Sequence, residues 1–192
     1  MLELIKKIRN QTGAGMVDIK KALEEAKGNE EEALKILRKK GIEKAAKKAD
    51  REAGEGTIGV YVHTDGKKVA LVKLLCETDF VADNEEFQQL AKDLAMQVAA
   101  MDPVAVSPEE VPEKLIIDQK TAWKEAAEKE GKPAEIAEKI LSGKEQKLRN
   151  EMSLLGQAFV KDPESTVEEV IKEKIAKVGE NIKVGEFTRM EL

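Results

Sequence analysis

Side chains able to carry covalent or metal chemistry are few in this sequence. There is one histidine, His63, and one cysteine, Cys76. His63 falls in the turn sequence HTDG and Cys76 closes the apolar run VALVKLLC, so neither joins a Ser/His or Cys/His pair of the kind nucleophilic catalysis needs. A soft-metal site has no ligand set to draw on either. A lone cysteine cannot close an internal disulfide; in an apolar strand it reads as a small buried hydrophobe in a reducing compartment. The glycines of TGAGM, Thr12 to Met16, are no phosphate cradle, because a P-loop needs GxxxxGK[ST] after a strand and these join two helical stretches. Carboxylates abound, but on Lys/Glu-rich helices they solvate a face. The expectation is a binding protein and not an enzyme, with no cofactor and no metal of its own.

Composition narrows what it binds. With 192 residues, 41% of them apolar, the chain can bury a real core as one domain or two small ones. A formal charge of −5 and a pI near 5.3 argue against a protein whose main task is to coat nucleic acid. Between Arg38 and Arg51 seven basic residues stand against two acidic ones. No aromatic or glycine interleaving accompanies them, so the piece reads as a solvated helical linker. The opening MLELIKKIRN is amphipathic and is no signal peptide. The longest apolar stretch, Val69 to Cys76, is interrupted by Lys73 and falls far short of the roughly 20 residues of a spanning helix. A cytoplasmic protein with neither a membrane nor a nucleic-acid partner is expected.

The elements follow from periodicity. Leu4, Ile5 and Ile8, then Ile19, Ala22, Leu23 and Ala26, then Leu34 and Leu37 recur at one-face helical spacing, separated by TGAG and Gly28. Asn29 with Glu32 is a capping-box start for the third helix, and Gly41 is expected to end it. This makes a three-helix unit over residues 1–41, followed by a linker over 42–56. The period then changes to two: TIGVYV and KKVALVKLLCE flank HTDG, whose Asp65-Gly66 suits a tight primed turn, and the second strand, apolar on both faces, should be the more buried. Asp83, with Glu86 three residues on, is expected to cap a helix carrying Phe87, Leu90, Ala91, Leu94, Ala95 and Val98 inward. A helical hairpin over about 112–160, turning at Gly131 and Pro133, places Leu141, Leu148 and Leu155 at heptad spacing. A last helix carries Val167, Val170, Ile171, Ile175 and Val178, and NIKVGEFTRM alternates as a final strand. The fold class is α+β. A three-helix, ubiquitin-associated-like domain precedes a core domain, 57–192, with a small three-stranded antiparallel sheet, packed helices and the hairpin.

Two stretches admit two readings each. In TGAGMVD, Met16 and Val17 either complete the small core or face a partner, as apolar side chains do beside the first loop of ubiquitin-associated domains. In TDFV, Thr78 and Asp79 either satisfy turn amides while Phe80 folds back onto the core, or Asp79 and Phe80 project from a rigid strand-to-helix platform into another protein.

Four segments together, IRNQTGAGMVDIKKALEEAKGNEEEALKILRKKG, ETDFVADNEEF, LLGQAFVKD and ENIKVGEFTRME, resemble bacterial elongation factor Ts over essentially the whole chain and in order. The length resembles the short form of that family. Val17 departs from it where members often carry a second methionine. The resemblance implies a guanine nucleotide exchange factor for the GTPase elongation factor Tu. Arg9, Met16 and Val17 then match positions through which the N-terminal domain docks on the nucleotide-binding domain, and Thr78, Asp79, Phe80 and Val81 form the loop that disturbs the GTPase's magnesium site. Longer members carry two related core subdomains and this chain one, which, with the uncovered edge of the last strand, predicts a homodimer through the core. Lys183, Glu186 and Arg189 on that strand weigh the other way.

Overall fold

The computed structural model describes residues 2–129 and 134–192. Helices α1 (Leu2–Thr12), α2 (Met16–Glu25) and α3 (Glu30–Ala46) come first. Then follow β1 (Glu55–Val62), β2 (Lys68–Cys76), α4 (Asp79–Ala82), α5 (Glu85–Met101), α6 (Glu113–Lys129), α7 (Ala134–Met152), β3 (Ala158–Phe159), β4 (Asp162–Thr166), α8 (Val167–Val178) and β5 (Lys183–Glu191). The fold is α+β, as expected. Two compact units are present: Met1–Gly59, Lys73–Lys92 and Glu168–Gly185 make one, and Val60–Val72, Asp93–Val167 and Glu186–Leu192 the other. Among the described residues no helix is long and apolar enough to cross a membrane, and no cluster of histidine, cysteine and carboxylate side chains is arranged to hold a metal ion.

In the first unit the three leading helices share one core of Ile5, Ile8, Ile19, Ala22, Leu23, Ala26, Ala33 and Leu37. Asn29 caps α3, its Oδ1 accepting the Glu32 amide at 3.1 Å. The helix does not stop at Gly41, as the glycine suggests, but continues to Ala46. Gly41 serves close approach instead: a Cβ there would stand 3.2 Å from the Cβ of Ala176 on α8, so the missing side chain lets the two helices meet. The final helix buries Val167, Ile171 and Ile175, and Gly179 ends it, its amide bonding the Ile175 carbonyl at 2.9 Å.

The three-stranded sheet has the order β1-β2-β5. β5 runs antiparallel to β2: Leu192 donates to the Lys67 carbonyl at one end, and Gly185 lies against Lys73 and Leu75 at the other. The hairpin between β1 and β2 forms, but not through a primed two-residue turn. The Gly66 amide closes on the His63 carbonyl at 2.8 Å, and only Gly66 is left-handed, with φ +69°. That is a four-residue turn, His63–Gly66, whose last residue is a left-handed glycine, as in the longer hairpin connections. β2 alternates more than its composition suggests: Ala70, Val72, Leu74 and Cys76 are fully buried, while Leu71 and Lys73 are exposed. Val60, Val62 and Met190 are likewise exposed on the flanking strands.

In the second unit α6 and α7 pair as an antiparallel hairpin; Arg149, near the end of α7, bridges Glu113 at the start of α6 at 2.5 Å and Glu145 at 3.0 Å. The turn at Gly131 and Pro133 lies outside the described residues. The hairpin ends earlier than the expected residue 160, because α7 stops at Met152. The segment before α6 captures the chain there: Val104 donates to the Met152 carbonyl at 2.9 Å, Leu154 to Ala105 at 2.9 Å and Leu155 to Val106 at 3.0 Å. Leu155 thus leaves the heptad series, while Leu141 is buried and Leu148 packs against the cluster of Ala105, Val111 and Ile116. The two-stranded β3-β4 ribbon follows, antiparallel and too short to show a period.

Gln97, fully buried on α5, fastens that ribbon. Its Nε2 donates to Gln157 Oε1 and to the Ala158 carbonyl, both at 3.1 Å, and its Oε1 accepts the Val160 amide at 2.8 Å. Gln97→Leu would leave the buried Gln157 Oε1 and the half-buried Val160 amide without these partners and is expected to lower stability by about 1–3 kcal/mol. A fall in the urea midpoint checks this.

Candidate partner-binding site

The four residues Thr78, Asp79, Phe80 and Val81 leave the end of β2 and enter the single turn of α4. The helix expected from Asp83 instead divides here. Asp83 ends α4, and Asn84 opens α5, its Oδ1 accepting the Glu86 amide at 2.8 Å. Asp79 folds onto its own turn, accepting the Phe80 amide at 2.8 Å. Phe80 does not fold back onto the core. It is 85% exposed, while Ala82 of the same turn is buried, and Val81 is half-buried. Thr78 caps nothing with its side chain; its hydroxyl donates to Glu180 Oε1 at 2.7 Å.

The root of the turn is held from both sides. Glu180 Oε2 accepts the amides of Glu77, at 3.2 Å, and Thr78, at 3.0 Å. In return Glu77 accepts the Asn181 amide at 2.6 Å, which, with Arg51 nearby, holds the Glu77 carboxyl below its ordinary range. Behind the root the Cys76 thiol donates to the Thr78 carbonyl at 3.1 Å. Burial pushes that thiol upward, which disfavours the nucleophilic thiolate.

One turn further on, Lys177 and Lys174 reach from α8 to Glu86, at 2.6 and 2.9 Å, and hold its carboxyl down to about 2. Folding lowers this pKa, so the bridge contributes fully above the ordinary value of 4.5 and is lost as pH falls through about 2. Glu86 is 48% exposed, so water screens the bridge and its worth is at most about 1 kcal/mol. Glu86→Gln should melt slightly below the parent at neutral pH, and the gap should close between pH 4.5 and about 2; melting curves across that range measure it.

The N-terminal candidates are also at the surface. Met16 and Val17, the first two residues of α2, are 50% and 67% exposed, so they do not complete the three-helix core. Arg9 is exposed on the last turns of α1, one turn before the TGAG connection, its carbonyl accepting the Gly13 amide at 2.8 Å. The basic run is largely occupied within the chain. Arg38 pairs with Glu173, Lys40 with Glu25 at 3.0 Å, and Lys44 with Asp18 at 2.7 Å. Lys48 donates to the Gly179 carbonyl at 2.6 Å, and Arg51 meets Glu77 at 3.4 Å. These cations fasten helices and turns together. Sequence reasoning missed Glu180 and Asn181, which stand between Gly179 and a strand and look like a solvated turn; only a contact about a hundred residues back along the chain distinguishes them.

Comparison with known proteins places the chain as a whole. The family profile described as "Elongation factor TS" matches residues 2–192. Proteins named elongation factor Ts from Maridesulfovibrio salexigens and Thermosipho melanesiensis are 51% and 52% identical to this chain; the matches cover 99% and 97% of it, and 92% and 95% of the relatives. One from Solidesulfovibrio magneticus is 48% identical over 98% of this chain and 94% of its own length. A profile match over residues 2–192 and relatives near 50% identity along almost the whole length show that the chain belongs to the elongation factor Ts family of translation elongation factors.

Proposed function

We propose that the protein is a guanine nucleotide exchange factor for elongation factor Tu, acting by disturbing the GTPase's Mg²⁺ site. The observation that carries this reading is Phe80, a large ring 85% exposed on a turn whose root is tied down by Glu180. An exposed ring on a mobile loop would merely bind; on a fixed root it can push. Mg²⁺ requires near-ideal octahedral geometry at short distances, so a small displacement of the groups orienting it weakens its hold. Loss of the metal uncovers repulsion between phosphates, and GDP leaves. Asp79 adds a negative charge beside the ring. Arg9, Met16 and Val17, on the ubiquitin-associated-like helical domain, dock on the nucleotide-binding domain. No bond is made or broken, so the factor is no enzyme and uses no cofactor. It acts in the cytoplasm, where its partner works.

Exchange of this kind rests on linkage: the factor binds the nucleotide-free GTPase more tightly than the GDP-bound one, so nucleotide in turn drives the factor off. Mixed with nucleotide-free elongation factor Tu, the chain should elute as a complex that added GDP dissolves. A complex indifferent to GDP would contradict the reading. The paired state of most basic residues between Arg38 and Arg51 favours a protein partner over RNA.

The factor works as a homodimer through its sheet. β5 lies at one edge, and Val60, Val62, Leu71 and Met190 leave apolar surface exposed, which a second copy would cover. Leu71→Glu, placing a charge in that contact, is expected to turn a dimer into a monomer in sedimentation equilibrium without loss of helix signal. A parent chain that already sediments as a monomer removes the dimer.

A further inference from the structure

We propose that Glu180 is a positioning residue for exchange: it fixes the root of the Phe80 turn and acts on the partner only through that ring. The inference rests on the exchange reading above and assigns the part of the site that never touches the GTPase. Cys76 is the last residue of β2, so the amides of Glu77 and Thr78 lie beyond the strand and need another acceptor. One carboxylate supplies it. Glu180 takes both amides on Oε2, at 3.2 and 3.0 Å, and the Thr78 hydroxyl on Oε1, at 2.7 Å. Hydrogen bonds to an ionised acceptor are the stronger kind.

The clamp is itself anchored. Asn181, next in the chain and 1% exposed, donates its amide to Glu77 at 2.6 Å and its side-chain nitrogen to the carbonyls of Ala49, at 3.2 Å, and Arg51, at 2.8 Å. Three stretches of chain, 49–51, 76–78 and 180–181, therefore meet at the base of a turn whose outermost side chain is 85% exposed. A side chain that must displace a neighbour's groups needs a root that does not yield. Holding it beforehand removes an ordering cost from the bound state.

The hydrogen-bond pattern makes a specific prediction. A hydroxyl can donate or accept. In Glu180→Gln the amide oxygen can still take both N–H groups while its nitrogen donates to Thr78 Oγ1, the hydroxyl reversing its role. Glu180→Ala loses all three bonds. Glu180→Asp, one methylene shorter, should loosen the root less.

The test is the maximal rate of release of a fluorescent GDP analogue from elongation factor Tu, read at saturating factor with full-length variants. Melting curves fix a temperature at which each is folded. Glu180→Ala is expected to lower the maximal rate about 10-fold with little change in the half-saturating concentration, Glu180→Asp to lower it less, and Glu180→Gln to restore most of it. The double variant Glu180→Ala/Phe80→Ala should be no slower than Phe80→Ala alone, because both remove one device. A merely structural residue would give losses that multiply. If Glu180→Ala does not fold, Glu180→Asp combined with Phe80→Ala gives the same comparison. Multiplying losses, or Glu180 variants at the parent rate beside a slow Phe80→Ala, overturn the positioning role and leave the wedge intact. Phe80→Ala at the parent rate overturns the wedge and this inference together.

Discussion

Replacing Phe80 with alanine is expected to slow stimulated GDP release about 10- to 100-fold, the range of a central aromatic contact in an interface. The melting temperature should hardly move. The ring is 85% exposed, so its removal opens no cavity, and surface substitutions of this kind stay within about 0.5 kcal/mol. Separation of the two readouts is what identifies a contact residue. Asp79 should be probed differently, because it carries both a charge and the hydrogen bond to the Phe80 amide at 2.8 Å. Asp79→Asn can keep the bond and discards the charge, so slower exchange by that variant assigns the effect to the charge. If Phe80→Ala unfolds the protein or exchanges at the parent rate, the ring is no wedge.

Met16→Asp should weaken complex formation with elongation factor Tu by about 10-fold or more, since an unpaired carboxylate in an apolar contact must be desolvated. The same change should leave the free protein as stable as before. Met16 is half exposed, and it is the first residue of α2, whose N-cap, Gly15, offers no side-chain acceptor. A carboxylate there meets the positive end of the helix dipole, a gain of about 0.3–1 kcal/mol. Folding therefore cannot account for lost affinity. Binding measured by titration calorimetry checks it, and undiminished affinity would remove the start of α2 from the interface.

Much of the scaffold was legible because local signals and tertiary packing agree. Phe87, Leu90, Ala91, Leu94, Ala95 and Val98 are all buried on α5, as their spacing predicts, because a long one-sided stripe packs inward, while Gln97 and Ala99 are buried there outside that expected set. Where local and distant interactions compete, reading fails. Gly41 has the chemistry of a helix stop, yet the proximity of Ala176 gives it another use and α3 runs on. Leu155 keeps heptad spacing, yet bonds to residues 104–106 withdraw it from α7. Asp83 and Asn84 are both capping residues side by side, and nothing local says that one ends a turn while the other begins a helix. The site divides in the same way. Motif resemblance pointed to the projecting residues, Met16, Val17, Asp79 and Phe80. The residues that fix the turn, Glu180 and Asn181, carry no local pattern, because their role exists only once the end of α8 meets the end of β2.

Exchange activity is read by adding the chain, in less than stoichiometric amount, to elongation factor Tu loaded with a fluorescent GDP analogue and chased with unlabelled GDP. An exchange role requires a release rate that climbs with factor concentration and then saturates, with each molecule of factor serving many GTPase molecules. Release at the unstimulated rate at every factor concentration would contradict it.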